Sequence, residues 1–504
     1  MAMLQTRRVL HIAVWLGAVV MAGCGGGGGD PIPPATTAPV GFSTPASVTV
    51  AIDQYLIGGT VSGLTQAGLV LHNNGGNPLS VTANGAFNFA TPMSVGAVYN
   101  VTVAAQPAGQ TCAVANATGV TPAASVSSIN VNCIAASPGG FLTGVTQVSA
   151  GAQFSLALKV DGTVWAWGNN FYPVLGNPAV TDISDVPVRV GALAGMAMVS
   201  AGYEHGLSLA TDGTVWAWGH NNVGQVGDNS TSDRSSPAQV AGLSNVIAVA
   251  GGGFHSVALR ADGTVWTWGL NGFGQLGDGT GLGRRLPVQV VGLTDVTAIA
   301  AGAEHTLALK RDGTVWAWGS NFGGQLGDGS TAIEFRSTVP VRVVGLAGVV
   351  AIAGGQFHSV AVLSDGSVWV WGSNTLGQLG TGVTSDQQER APIQVQGLSG
   401  AKAATAHLVH SVVLKNDGTL WAWGTNQLNT IVYGLIGDGT SENRYSPVQV
   451  VGLGDVVAFD AGGLHTLALR SDGSVWSWGF NGVGELGIGS RATPQLSPTQ
   501  VVAP

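Results

Sequence analysis

The chain has 504 residues, of which 79 are glycine and only 9% are charged, against about 25% charged in an average soluble domain. That composition excludes a coiled coil, a helical repeat and a charged disordered tail. The formal net charge of −8 excludes a nucleic-acid binder, which needs clustered Lys and Arg for phosphate. The 45% of apolar residues and the 15 tryptophans are enough to fill a large core.

Residues 1–23 read as a secretory leader, with Arg7 and Arg8 ahead of the apolar run Ile12 to Met21, which is too short for a stable membrane span. The segment Val20-Met21-Ala22-Gly23-Cys24 resembles the lipobox of bacterial lipoproteins. That resemblance implies that Cys24 is acylated and, with Gly25 behind it, that the protein is an outer-membrane or cell-surface lipoprotein. The other account is ordinary cleavage with Cys24 left as an exposed thiol. Residues 24–45 begin with Gly25 to Gly29 and Asp30-Pro31-Ile32-Pro33-Pro34. Glycine gives flexibility and proline extension, so this stretch is a tether.

Residues 46–136 alternate β-rich runs (Ser47 to Val50, Gly68 to Leu71, Ala86 to Phe89, Tyr99 to Val103, Ile129 to Asn132) with Gly and Asn turns. This spacing predicts a small β-sandwich of Ig-like size. Cys112 and Cys133 lie 21 residues apart in an exported chain, so a disulfide is expected; two buried thiols are the alternative. Ser137-Pro138-Gly139-Gly140 marks the boundary.

In residues 140–504 a unit recurs seven times. Trp-x-Trp-Gly begins at Trp165, Trp216, Trp266, Trp316, Trp369, Trp421 and Trp476, at separations of 51, 50, 50, 53, 52 and 55 residues. An Asp-Gly pair precedes each one, from Asp161 to Asp472, and a proline follows each one, from Pro187 to Pro498. A period near fifty means blades of a propeller or solenoid. In the fourth unit, His305 to Trp318 reads as one antiparallel hairpin, with Asp312-Gly313 taking the positive φ values of its turn. Trp316 and Trp318 share a face and stack between sheets. Pro340 then opens an edge strand, where its missing N–H does little harm. Three or four strands per unit, seven times round, predict an all-β, closed seven-bladed β-propeller.

The stretch Ala301 to Asp328 reads Ala-Gly-x-x-His-Thr-x-Ala-Leu-x-x-Asp-Gly-Thr-Val-Trp-x-Trp-Gly-x-Asn-x-x-Gly-Gln-Leu-Gly-Asp, and Gly252 to Asp278 nearly repeats it. It resembles the regulator of chromosome condensation family of seven-bladed propellers over Gly140 to Pro504. The resemblance is specific for fold and not for function. It extends to a nuclear guanine-nucleotide exchange factor, a plant ultraviolet sensor and secreted β-lactamase inhibitors, and it implies a disc that grips another protein.

His205, His255, His305, His358, His410 and His465 occupy one position in six units, with Phe154 there in the first. They lie a blade apart, too far to share a metal ion, and are expected to bond to the backbone of their own blade. The Asp-Gly pairs are turn chemistry, since the Asp-box of sialidases separates the two residues by one. Arg234, Arg284, Arg285, Arg336, Arg390 and Arg444 precede the prolines, with Asp228, Asp278, Asp328 and Asp438 nearby. Two accounts remain open for these arginines, an ion pair inside each blade and a ring on one binding face. The candidates for specificity are the insertions that the repeat does not explain: Phe171-Tyr172-Pro173, Ile333 to Phe335 with Arg336, Ser385 to Arg390, Leu428 to Tyr433, and Arg444-Tyr445.

The chain carries no phosphate loop and no nucleophile elbow, so no catalytic residue, metal or cofactor is expected. The expected function is a surface-anchored, monomeric scaffold that binds another protein or an envelope component such as a glycan. It would meet the membrane through its lipid alone. The alternatives are an enzyme regulator, either a nucleotide exchange factor or an inhibitor of β-lactamase type, and a carbohydrate-binding propeller.

Overall fold

A computed structural model describes residues 54–504 apart from 106, 108–109, 136–139 and 331–334. Cys24, the leader, the tether, the run Ser47 to Val50 and the insertion residues Ile333 and Glu334 lie outside the described residues. Every regular element described is a strand.

Two four-stranded sheets and a short antiparallel pair, Gln54–Tyr55 with Met93–Ser94, make the N-terminal part. One has the spatial order Gly85–Asn88, Ile57–Ser62, Val126–Ala135, Gln110–Ala115; the other has Gly76–Val81, Leu69–Asn73, Val98–Ala105, Thr118–Val120. Period-two alternation turns Leu69, Leu71, Tyr99, Val101, Ile129 and Val131 inward, into one core shared by both sheets. The strand Val126–Ala135 runs parallel to Ile57–Ser62 and antiparallel to Gln110–Ala115. Cys112 and Cys133 face each other across the antiparallel pair and are disulfide-bonded.

Seven four-stranded antiparallel sheets follow in chain order. Blade 1 is built from Val145–Ala150, Phe154–Lys159, Val164–Gly168 and Ser184–Arg189, and the others span 196–239, 246–289, 296–342, 349–394, 401–449 and 456–500. In each, the first strand lies innermost and its end helps line the central channel. The second strand, such as His305–Lys310, is buried at five of its six positions, because blades cover both of its faces.

The hairpin between second and third strands departs from expectation in one detail. In blade 4, Gly313 N–H donates to Lys310 O (2.9 Å) and Lys310 N–H to Thr314 O (2.9 Å). Only Gly313 takes a positive φ, +78°. Asp312 instead accepts from the Thr314 amide (3.0 Å) and hydroxyl (2.6 Å). The pair therefore divides its work: the carboxylate closes the loop and the glycine takes the left-handed step.

The two tryptophans of each unit also differ. Trp167, Trp218, Trp268, Trp318, Trp371, Trp423 and Trp478 are wholly buried, whereas Trp165 and its six counterparts are half-buried. Each buried indole donates to a loop carbonyl of the preceding blade, as Trp318 does to Gln275 O (2.9 Å). The prolines sit in the outer strands at a register shift. Pro340 falls between the Ala317–Val341 and Gly319–Ser337 pairs, where no ladder bond is lost.

Blades 1 and 7 exchange no strand. Val145–Ala150 is innermost in blade 1 and Gln495–Gln500 outermost in blade 7. The seam is joined by Leu142 N–H to Val501 O and Ala503 N–H to Gly140 O, both 3.0 Å. On the channel side Asp460 of blade 7 accepts from Ser149 Oγ (2.9 Å) and Ala150 N (2.9 Å) of blade 1 and from Thr405 Oγ1 (2.8 Å) of blade 6.

Candidate functional site: the loop face of the propeller

Strand direction alternates within a blade, so the first-to-second and third-to-fourth loops emerge on one face, and the hairpin turns and blade-to-blade links on the other. The turn face repeats itself: Asp161, Asp212, Asp262, Asp312, Asp365, Asp417 and Asp472 each cap the same turn. The sequence departures collect on the loop face, where the topology places Phe171, Tyr172, Phe335, Tyr433 and the ends of the outer strands bearing the arginines.

Beneath that face lies the ring of histidines, and here the expectation is corrected. Each imidazole bonds to the next blade, not to the backbone of its own. His205 Nε2 meets Ser256 Oγ, His255 meets Thr306, His305 meets Ser359 and His358 meets Ser411, all at 2.9 Å. His410 meets Thr466 at 3.1 Å, and His465 meets Ser155 at 2.8 Å across the seam. Ser256, Thr306, Ser359, Ser411 and Ser155 each donate their single proton to a loop carbonyl, as Ser256 does to Gln225 O (2.8 Å). Each of these hydroxyls must therefore accept from Nε2–H, which leaves Nδ1 bare; the Nδ1 atoms of all six rings are buried without a partner. Burial holds His205, His255, His305, His358 and His465 down at about 3 and His410 at about 4, so the rings are neutral. The seventh junction lacks both partners at once: Phe154 stands for the histidine and Gly206 for the hydroxyl.

The arginines divide. Arg234 pairs with Asp228, Arg284 with Asp278 (2.7 Å) and Arg444 with Asp438 (2.6 Å), inside their own blades. Those aspartates also cap the loops through Ser230, Thr280 and Thr440, so these three arginines build the blade and drop out as a binding ring. Arg285 is exposed. Arg336 reaches to Gly272 O of blade 3 (2.5 Å), and Arg390 holds Gln388 (2.8 Å). Ser385 to Arg390 is no loop but the lengthened start of the outer strand Ser385–Gln394. Tyr445 is packed where a Cβ on Gly377 would lie 2.2 Å from its ring, which makes it a packing residue.

Phe171, Phe322 and Phe335 are exposed on this face. Phe273, Phe322 and Phe335 form a chain of rings with centroids 5.7 and 5.2 Å apart. With Arg336 and Gly272 they line a cavity of about 460 Å³. Phe171, 80% exposed, meets Tyr172 edge-on (5.1 Å) beside a second cavity of about 190 Å³. Tyr172 stacks on His220 (3.9 Å), whose Nδ1 bonds to Glu204 (2.8 Å). Tyr433 packs edge-on to Phe480 at 6.3 Å. Sequence reasoning missed Phe273, Phe322, His220, Tyr203 and His407. For the last two the signal was present: His407 stands where the other six blades carry Gly, and Tyr203 where four of the other six carry Ala or Gly.

The family pattern described as RCC1-like domain matches residues 94–399 and 284–504, its first stretch beginning ahead of blade 1. The chain belongs to the RCC1-like domain family. Among curated RCC1-like relatives, the ultraviolet-B receptor UVR8 of Arabidopsis thaliana is 33% identical over 174 residues, 33% of this chain and 38% of the receptor. The human E3 ubiquitin-protein ligase HERC2 is 35% identical over 153 residues, 28% of this chain and 3% of the ligase. The chain thus spans well under half the length of either. Among solved structures, yeast RCC1 (Prp20) bound to Kap60 aligns with TM-score 0.59 and 25% identity, covering 67% of this chain and 83% of that one. Human WBSCR16 aligns with TM-score 0.59 and 24% identity, covering 68% and 95%, which speaks for the fold alone.

Proposed function

We propose that this chain is a non-catalytic scaffold, anchored at the cell surface through Cys24, whose loop face binds another protein or an envelope component. One observation carries the binding part. The exposed aromatic side chains and the insertions lie on the loop face, while the opposite face repeats one capped turn seven times. Exposed aromatic clusters with an adjacent arginine are what binding sites are enriched in. A protein partner is favoured because one solved RCC1-like relative, yeast RCC1 (Prp20), was solved bound to a protein, Kap60. Anchoring rests on the leader and on the lipobox resemblance around Cys24.

The test is capture from envelope extract by the full chain, beside a variant with Phe171→Ala, Phe322→Ala, Phe335→Ala and Arg336→Ala. A partner held by the wild type and lost by the variant is expected, and equal capture by both would sink the reading. Phe335 and Arg336 alone suffice to test the larger cavity.

A further inference from the structure

The mouth of the central channel is unlike the rest of the loop face. A cavity of about 110 Å³ is lined there by strand ends of all seven blades, nearly all glycine, alanine or serine, together with Tyr203, His407 and Asp460. The two large rings come from blades 2 and 6 and face each other with centroids 4.8 Å apart. His407 occupies a position that is glycine in the other six blades. At Gly202, Gly252, Gly302 and Gly355 a Cβ would come within 2.3 Å of the blade's own imidazole. Blade 6 thus carries a side chain where the repeat otherwise forbids one.

The chemistry of the mouth is one-sided. The Tyr203 hydroxyl and His407 Nδ1 are buried with no hydrogen-bond partner, a costly state unless something supplies one. Burial keeps His407 neutral, held down at about 3, so the ring has a bare nitrogen to offer. Two carboxyl groups stand near: Asp460 in the lining and Glu304, which acts on the Tyr203 phenol. The seven loops at 151–154, 202–205, 252–255, 302–305, 355–358, 407–410 and 462–465 contain no Lys or Arg. Among the described residues no Lys or Arg pairs with Asp460 or Glu304, and burial raises the pKa of both.

We propose that the channel mouth binds a primary ammonium group, carried by a lysine side chain of a protein partner or by a free alkylamine. An ammonium brings three N–H donors, which match the bare imidazole nitrogen, the phenol oxygen and a carbonyl of the strand ends. The Tyr203 ring adds attraction for a cation, and the carboxyls, which no Lys or Arg neutralises among the described residues, add more as water leaves. An anion would meet those carboxyls directly, and a neutral hydroxyl brings them one donor and no charge, against three donors and a charge on the ammonium. The inference rests on the loop face being the binding face and names the chemistry at its centre.

The test is saturation-transfer NMR on the full chain with butylammonium chloride, butan-1-ol and butyrate as probes. A ligand this small reaches about millimolar affinity. Tyr203→Ala and His407→Gly restore residue types that other blades carry, and an unchanged melting temperature checks that both variants fold. Transfer to butylammonium alone, weakened about tenfold or more in each variant, is the expected result. No transfer at about 10 mM, equal transfer to butan-1-ol or butyrate, or no loss in the variants would overturn it. Release of a captured partner by butylammonium identifies the source as that partner's lysine. A partner that stays bound while butylammonium still binds identifies it as a free amine. Failure of the loop-face reading shows separately, as equal capture by the aromatic variant.

Discussion

The six neutral imidazoles of the ring make this protein sensitive to acid, and the neutral His407 adds to it. The six folded-state pKa values, about 3 to 4, lie below the ordinary 6.5. The unfolded chain therefore binds more protons below pH 6.5, and the stability they contribute drains as pH falls from 6.5 toward their folded values. Each ring loses about 1.4 kcal/mol per pH unit in that window. Six together exceed the usual ~5–15 kcal/mol of a folded protein within about two units. Denaturant titration at stepped pH is expected to show cooperative unfolding between about pH 6 and 4, with uptake of several protons per chain. The turn aspartates do not compete, because their pKa values sit below 3.8. A melting temperature flat from pH 7 to 4 would contradict this account. Glu485 works in the other direction. It replaces the glutamine found at 225, 275, 325 and 378, its Oε1 is buried without a partner, and burial pushes it up to about 7 from 4.5. The stability of its neutral form is whole below pH 4.5 and lost as pH rises through about 7. Glu485→Gln is therefore expected to be neutral at pH 4.5 and stabilising by about 3 kcal/mol above pH 7, read from denaturation midpoints at the two pH values. At this scale the sequence shows which residues recur but not what they touch. The hydroxyl partners were visible as the Ser or Thr after the next histidine, and the joint loss at Phe154 and Gly206 was the hint that the two positions bond to each other.

At the scale of the strand and loop, the blade was the most legible object. Alternation, the Asp-Gly turn and the proline located nearly every strand, because each rests on a local rule that fifty residues contain whole. The division of labour in the Asp-Gly turn was not legible, since either residue tolerates the left-handed region. Nor was the fate of the insertions. Ser385 to Arg390 contains nothing that distinguishes a loop from an edge strand, and it became a strand because Asn374 pairs with Ser385 and Gly372 with Glu389. Arg234, Arg284 and Arg444 stayed ambiguous in sequence because an ion pair and a binding ring need the same residues. Aspartates with side chains no more than 7% exposed decide for the ion pair.

For the molecule as a whole, the channel side of the seam between blades 1 and 7 is tied by one carboxyl group. Asp460 holds a hydroxyl and an amide of blade 1 and a hydroxyl of blade 6. Asp460→Ala leaves the Ala150 amide without its acceptor, which costs about 1–3 kcal/mol. Local opening at the seam is then expected to speed up about ten- to a hundredfold. Hydrogen exchange should show it in Val145–Ala150 and Val456–Ala461 while Val296–Ala301, on the far side of the disc, keeps its protection. Uniform exchange in all three strands would assign closure to packing alone. Nothing in a single repeat announces this, because Asp460 fills a position that is Ser, Ala or Thr in the other blades.

Every blade is one uninterrupted stretch of chain, and Gly140 to Leu142 lie hydrogen-bonded beside Val501 to Ala503. The backbone of the disc is thus a circle cut once. Joining these ends and cutting instead in any blade-to-blade link would leave all seven sheets, the histidine ring and the loop face as they are.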